Sequence, residues 1–202
     1  MNVLHVDASI LGERSVSRSV SAAVVARLRG GRTGVRVVYR DVAADPLPQF
    51  SGRLLAAAAS PAEQPDEVRR DAAALAAAVE EVLGADVIVV GAPMYNFGIP
   101  SQLKSWIDAL AVPGKTFRYA DGGVQGLLGD KRVVIVSSQG GFYAAGTPMA
   151  SFEHQESHLT SFFRFLGVAD IRVVRAEGVR VSDGSADRIQ SALRQASELA
   201  FA

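Results

Sequence analysis

The 202 residues suit one domain with a substantial core, and 49% apolar against 21% charged residues exclude a disordered or fibrous chain. Lysine plus arginine count 21 and aspartate plus glutamate 21, a formal net charge of +0 that argues against a dedicated nucleic-acid binder and a strongly acidic electron carrier. With 0 cysteines, disulfides, catalytic thiols, iron–sulfur ligation and cysteine-type zinc sites are excluded, so the chemistry rests on oxygen and nitrogen groups or on a bound cofactor.

Met1-Asn2-Val3-Leu4-His5 lacks the basic region and apolar stretch of a secretory signal. No run approaches the roughly 20 apolar residues that span a bilayer, and a soluble cytoplasmic protein without a membrane partner is expected. Val3 to Val6 is a short apolar run ending in Asp7-Ala8-Ser9, and a serine-rich turn leads into helical spacing from Val20 to Leu28. Val35 to Tyr39 reads as a second strand. Leu54 to Ser60 is alanine-rich but short, with Arg53 and Glu63 beside it. Pro65 to Leu83, with Leu75, Val79, Val82 and Leu83 in phase, predicts a long helix. Then come a strand at Val87–Val90, a helix from about Pro100 to Leu110, a strand at Val133–Val136, a helix near Ser157–Leu166, a strand at Ile171–Val174 and a closing helix from Asp183 to Phe201.

Five strand-like runs separated by helices predict a single α/β domain over residues 1–202, doubly wound around a parallel sheet. The runs at 87–90 and 133–136 are wholly apolar, as strands buried on both faces are. His5 and Arg172 interrupt the first and fifth runs, which are therefore expected nearer the surface.

Several motifs fail on context. Ala109 to Thr116 fits a permissive phosphate-binding P-loop pattern, but it follows a helix instead of a strand and runs into the aromatic Thr116-Phe117-Arg118-Tyr119, read as a loop. His154 and His158 lie four residues apart, but Gln155 stands where the zinc-protease signature needs glutamate and no third ligand is evident, so no metal is expected. His5, alone in a strand, reads as packed. Asp7 to Glu13 holds one glycine where a dinucleotide fingerprint has three, and Gly91-Ala92-Pro93 fills the place of a receiver domain's phospho-accepting aspartate. No Ser-His-Asp order can be assembled.

In an open parallel sheet, ligands sit outside the carboxyl ends of the strands. After the first strand come Ser9 and Ser15-Val16-Ser17 entering a helix, where hydroxyls and free amides suit a monophosphate, although serine also serves as a plain helix cap. After the third strand, Met94-Tyr95-Asn96-Phe97 offers apolar walls and polar backbone for a flat heterocycle; the plainer reading is a hydrophobic loop packed on the next helix. After the fourth, Ser138-Gln139-Gly140-Gly141 allows close backbone approach, or is a simple turn.

Together these segments resemble the FMN-dependent NADH-azoreductases, flavodoxin-like relatives of the NAD(P)H quinone reductases. The likeness runs nearly end to end, through Asp7-Ala8-Ser9 to Ser17, Asp41 to Pro48, Ala92 to Phe97, Gln102-Leu103-Lys104, Thr116 to Tyr119 and Ser138 to Gly141. Between Phe142 and Leu166 the chain departs from the family pattern, and Phe152-Glu153-His154-Gln155 is distinctive. The resemblance implies a flavodoxin-like fold with a five-stranded parallel sheet in the order 2-1-3-4-5 and helices on both faces. It implies FMN held by Ser9 and Ser15 to Ser17 at the phosphate, and by Met94, Tyr95, Asn96, Phe97, Ser138, Gln139, Gly140 and Gly141 at the ring. It further implies NADH or NADPH as donor, quinones or azo compounds as acceptors, and a homodimer in which an aromatic residue of the second subunit covers the flavin. Asn96 is expected to stabilise the reduced ring in a ping-pong cycle, with Phe117 or Tyr119 beside Tyr95 and Phe97 as the substrate slot and Phe162 reaching in from the partner chain. The alternatives are an electron shuttle of the flavodoxin kind without turnover of its own, and a binding domain without flavin.

Overall fold

The computed structural model describes residues 1–59 and 64–201; Ser60, at the end of the alanine-rich stretch, lies outside them. Five parallel strands form the sheet: β1 (Asn2–Asp7), β2 (Arg36–Asp41), β3 (Val87–Pro93), β6 (Arg132–Ser138) and β7 (Asp170–Ala176). Two further strands, β4 (Phe117–Ala120) and β5 (Gly123–Gly126), pair antiparallel in a hairpin outside the sheet. The sheet order is β2-β1-β3-β6-β7, which is the expected order once the hairpin strands are set apart.

The two faces follow from the period of a strand. Leu4, Val6, Ile88, Val90, Val133 and Ile135 enter one core, while Val3, Val87, Val89, Val134 and Val136 enter the other. Helices α1 (Val16–Arg29) and α6 (Ser185–Glu198) close the second core through Val20, Val24, Leu28, Ala192 and Ala196. On the other face lie α2 (Gly52–Ala59), α3 (Asp66–Gly84), α4 (Ser101–Leu110) and α5 (Glu156–Phe165). In α4, Leu103, Trp106, Ile107 and Leu110 share one buried stripe, the three-and-four spacing of an amphipathic helix. Among the described residues no helix is long and apolar enough to cross a membrane.

Two expectations are corrected. The first strand does not lie near the surface: β1 pairs with β2 on one side and β3 on the other, and His5 is only 7% exposed. A polar side chain is tolerated there because His5 Nε2 bonds Ser21 Oγ at 2.9 Å. The exposed edge is β2 instead, with β7 at the opposite edge. Phe117-Arg118-Tyr119 is a strand, not a loop, because Asp121-Gly122 supplies the turn that returns the chain as β5. Thr116, the last residue of the P-loop-like run, is buried and donates its hydroxyl to the Leu110 carbonyl at the end of α4. That run therefore terminates a helix and does not open one.

The root of the hairpin is clamped. A Cβ on Gly126 would stand 2.1 Å from the Gly167 nitrogen, and Gly167 has φ +94°, so only glycine allows the hairpin to lie against the end of α5. The Leu128 amide adds a 2.8 Å bond to the Leu166 carbonyl.

Candidate active site

The carboxyl ends of β1, β3, β6 and β7 surround a cleft of about 510 Å³, within the usual range for small-molecule sites. Its walls are Ser9, Arg14, Ser15 and Val16 on one side and Met94, Tyr95, Ser138 and Gly140 on the other.

The first wall is built by helix capping. Ser15 has extended backbone and its Oγ accepts from the Arg18 amide at 3.3 Å, which starts α1 four residues ahead of the periodic stretch. Ser15 and Ser17 hydroxyls lie 3.0 Å apart, and the amides of Val16 and Ser17 fall in the first turn, where no helical carbonyl can receive them. Ser9 and Tyr95 hydroxyls stand 3.5 Å apart, and the Ile10 amide donates to the Tyr95 hydroxyl at 3.2 Å, tying the first loop to the third-strand loop.

Beneath this wall a polar network runs from buried Asp7 and Ser21 out to half-buried Arg18 and Asp41 and exposed Tyr39. Arg18 donates to the Ser9 carbonyl from Nη2 at 2.7 Å and from Nε at 3.2 Å, and its Nη1 meets Asp41 Oδ2 at 2.6 Å. The hydrogen bond to Asp41 holds the Arg18 guanidinium above its ordinary value. Burial alone would raise the Asp41 carboxyl, but Arg18 and the amides of Ala44 and Ala43 outweigh it and hold the group low. Tyr39 donates to Asp7 Oδ2 at 3.2 Å, and burial followed by the Asp7 charge pushes its phenol up to about 12. Ser21 donates to Asp7 Oδ1 at 2.8 Å. Gly91 is required opposite, since a Cβ there would lie 2.1 Å from that same oxygen.

The second wall carries backbone strain. Tyr95 and Gly98 exchange hydrogen bonds of 3.0 and 3.1 Å, and the two residues between them, Asn96 and Phe97, have φ of 48° and 73°. Both central residues of the turn are left-handed, a conformation asparagine tolerates and a bulky aromatic residue rarely adopts. Such strain persists only where the surroundings impose it, and it clusters at functional sites. Here the imposing contacts are the Phe97 ring against Phe152 at 5.0 Å and the bond from the His154 amide to the Phe97 carbonyl at 3.0 Å. Phe152 and His154, in the 142–166 segment expected from the sequence to depart from the family pattern, thus contribute to holding the turn.

The glycines at 140 and 141 serve the fold as well as the cleft. A Cβ on Gly140 would come 3.3 Å from Arg180 Cγ, and one on Gly141 3.3 Å from the Tyr143 ring. Main-chain bonds from Val179 to Gln139, Arg180 to Gly140 and Gly178 to Gly141, at 3.1, 3.1 and 2.8 Å, bind this loop to the run-out of β7.

Ser9, Ser15, Val16, Met94, Tyr95, Ser138 and Gly140 therefore converge on the cleft as expected from their strand ends. Ser17 and Gln139 are fully buried behind it, and Gly141 packs on Tyr143. Asn96 lines a neighbouring groove of about 670 Å³ that shares Tyr95 as a wall and also holds Lys104, His154 and His158. Among the described residues no group of three potential metal ligands occurs. Phe117, Tyr119 and Phe162 do not line the cleft of their own chain: Phe117 is buried against Phe165 at 5.1 Å, Tyr119 is 76% exposed on the hairpin, and Phe162 packs against Phe163 at 5.6 Å. Leu11, Arg14, Val179 and Arg180 line the cleft and are absent from the sequence reading. The end of β7 follows the same carboxyl-end rule as the other strands, and applying it there finds Val179 and Arg180.

A cleft with hydroxyls and free amides at one end and apolar walls with a bonded backbone at the other suits a flat ring joined to an anionic tail. A family model described as a flavodoxin-like fold matches residues 1–200. The chain is 53% identical over 180 residues to an FMN-dependent NADH:quinone oxidoreductase of Bradyrhizobium sp. strain BTAi1, covering 89% of each. It is 49% identical to a protein of the same name from Methylocella silvestris, over 98% of this chain and 96% of the relative. An azoreductase structure from Bacillus anthracis str. Sterne superposes with a TM-score of 0.88 at 28% identity, over 98% of this chain and 97% of the other. The chain belongs to the flavodoxin-like family of FMN-dependent NADH:quinone oxidoreductases and azoreductases.

Proposed function

We propose that the chain is an FMN-dependent NAD(P)H oxidoreductase that reduces quinones and azo compounds. The observation that carries this reading is the continuity of the cleft, from the serine-capped start of α1 to Met94 and Tyr95, which lead into the strained turn, and to Ser138 and Gly140. The relatives' names, which specify FMN, NADH and quinone or azo reduction, support it.

FMN fits these residues. The Val16 and Ser17 amides and the Ser9 and Ser15 hydroxyls, the latter backed by Ser17, give the terminal phosphate donors at the positive end of a helix dipole. At the other end, Met94 and Tyr95 stand across from Ser138 and Gly140, leaving a slot with apolar and backbone walls for a flat ring. Bound FMN supplies the two-electron hydride relay through N5, in a ping-pong sequence from nicotinamide to acceptor. The chain's own part is to hold and shape. Met94 and Tyr95 wall the cleft, the Asn96 amide stands in the adjoining groove that shares Tyr95 and is the side chain assigned to developing negative charge, and Phe97 with Phe152 and Tyr143 offers flat aromatic surface.

The active form is a cytoplasmic homodimer in this reading. Tyr119, on its fixed hairpin, is available to a partner's cleft, and the substrate slot is completed by the partner's aromatic residues. No nucleic acid, membrane or metal is involved.

The deciding experiment is the visible absorbance spectrum of purified protein after incubation with FMN, followed by NADH and NADPH oxidation with a quinone and with an azo dye. Flavin absorbance with turnover of both acceptors, and parallel initial-rate lines, is the expected result. A protein that stays colourless overturns the reading, intersecting lines replace ping-pong by a ternary complex, and flavin without turnover favours the electron shuttle.

A further inference from the structure

The start of α5 holds two consecutive buried polar side chains that neither the sequence motifs nor the relatives' names account for. Gln155 is 0% exposed and Glu156 7%. Gln155 Nε2 donates to the Ala92 carbonyl at 2.6 Å, at the end of β3. Its Oε1 accepts from Ser137 Oγ at 3.0 Å and from Gln139 Nε2 at 3.2 Å, at the end of β6 and just beyond it. Glu156 Oε1 accepts from the same Gln139 Nε2 at 3.4 Å, and Arg175 of β7 grips the Glu156 carboxylate with bonds of 2.7 and 2.5 Å. Two neighbouring residues thus tie three strand ends together. All three ends run out into segments that wall the cleft.

The chemistry fixes the arrangement. Gln139 faces two acceptors, Gln155 Oε1 and the Glu156 carboxylate, so its NH₂ must turn toward them and its own oxygen away. That is why Gln139 Oε1 has no protein donor. Gln155 is in turn held in place from outside: Glu153 accepts from the amides of Gln155, Glu156 and Ser157 at 2.7, 2.6 and 3.1 Å, closing the first turn of α5.

We propose that Gln155 is the positioning residue for the flavin site: by bridging Ala92 to Ser137 and Gln139 from behind the cleft it sets the spacing of the two ring-holding loops. This rests on the functional reading above. Glu156 and Arg175 complete the bridge by fixing the far side of Gln139. The segment that departs from the family pattern thereby acts on the cofactor without touching it.

The test compares wild type with Gln155→Leu, Ser137→Ala and the double variant, by FMN fluorescence titration, visible circular dichroism of the bound flavin and the KM-against-kcat split for NADH. Leucine keeps the volume and removes both halves of the bridge; alanine at 137 removes one donor and keeps the backbone. The expected dissociation constant for FMN rises about tenfold in Gln155→Leu and about threefold in Ser137→Ala. The double variant is expected to be no weaker than Gln155→Leu, because both changes break one bridge. The flavin dichroism is altered in each, and kcat falls while KM for NADH holds. Should Gln155→Leu fail to fold, Ser137→Ala decides alone. Wild-type FMN affinity and dichroism in a folded variant overturn the inference. A wild-type protein that binds no FMN overturns the functional reading and the inference with it.

Discussion

Arg18 holds the Ser9 carbonyl with two N–H groups while its other edge is paired with Asp41, so the loop after β1 is fixed from below by an ion pair between α1 and β2. The fork geometry of a guanidinium makes both contacts at once, and an ammonium cannot. Arg18→Lys is expected to weaken FMN binding severalfold and to lower the melting temperature by a few degrees, about 1 kcal/mol of stability. Isothermal titration and thermal melting check both.

The same pair sets an acid limit. Asp41 is held below its ordinary value in the folded state, so its contribution is present above about pH 4 and is lost as pH falls through the depressed folded value. Asp41→Asn is expected to lower stability at neutral pH and to flatten the acid limb of a pH–melting profile. An unchanged acid limb counts against this role.

Tyr39 sets the opposite limit. Its phenol is raised to about 12 by burial and by Asp7, so the folded protein retains a proton that the unfolded chain loses near pH 10. Stability from this group is full below pH 10 and is lost as pH rises toward the folded value. Melting temperatures between about pH 10 and pH 12 should fall less in Tyr39→Phe than in wild type.

Asn96 and Phe97 offer a way to separate chemistry from strain. Glycine accepts a left-handed φ freely, so Asn96→Gly keeps the turn within about 0.5 kcal/mol and removes only the side-chain amide. A fall in kcat of about tenfold with FMN still bound is expected. Unchanged turnover removes Asn96 from the reaction.

The groove beside the cleft presents Lys104, His154 and His158 and has no acidic residue in its walls. Lys104 pairs with Asp108 at 2.5 Å outside it. An acceptor carrying a sulfonate or carboxylate gains from these donors and a neutral quinone does not. His154→Ala is expected to raise KM for the anionic acceptor about threefold and leave the neutral one unchanged, as steady-state kinetics with matched naphthoquinones will show.

The sheet was legible because buried parallel strands are written as apolar runs, and Val87–Val90 and Val133–Val136 stand in the structure where the sequence puts them. His5 misled, because a histidine in a strand says nothing of its partner; Ser21, sixteen residues on, is what allows its burial. The cleft serines and the 94–97 loop could be read from strand ends. The segment from 142 to 166 could not, since its contribution lies in which distant strand ends Gln155 and Glu156 reach. Periodicity carries no information about such reach.

The glycine clamp at the root of the hairpin has a consequence for assembly. With Gly126 pressed against Gly167, the root of the β4–β5 arm is packed backbone to backbone, and Tyr119 is carried near its tip. A surface that is already ordered surrenders little conformational freedom when it meets another chain. Replacing Gly126 with alanine would displace the arm, so a residue far from the cleft governs where the Tyr119 ring stands.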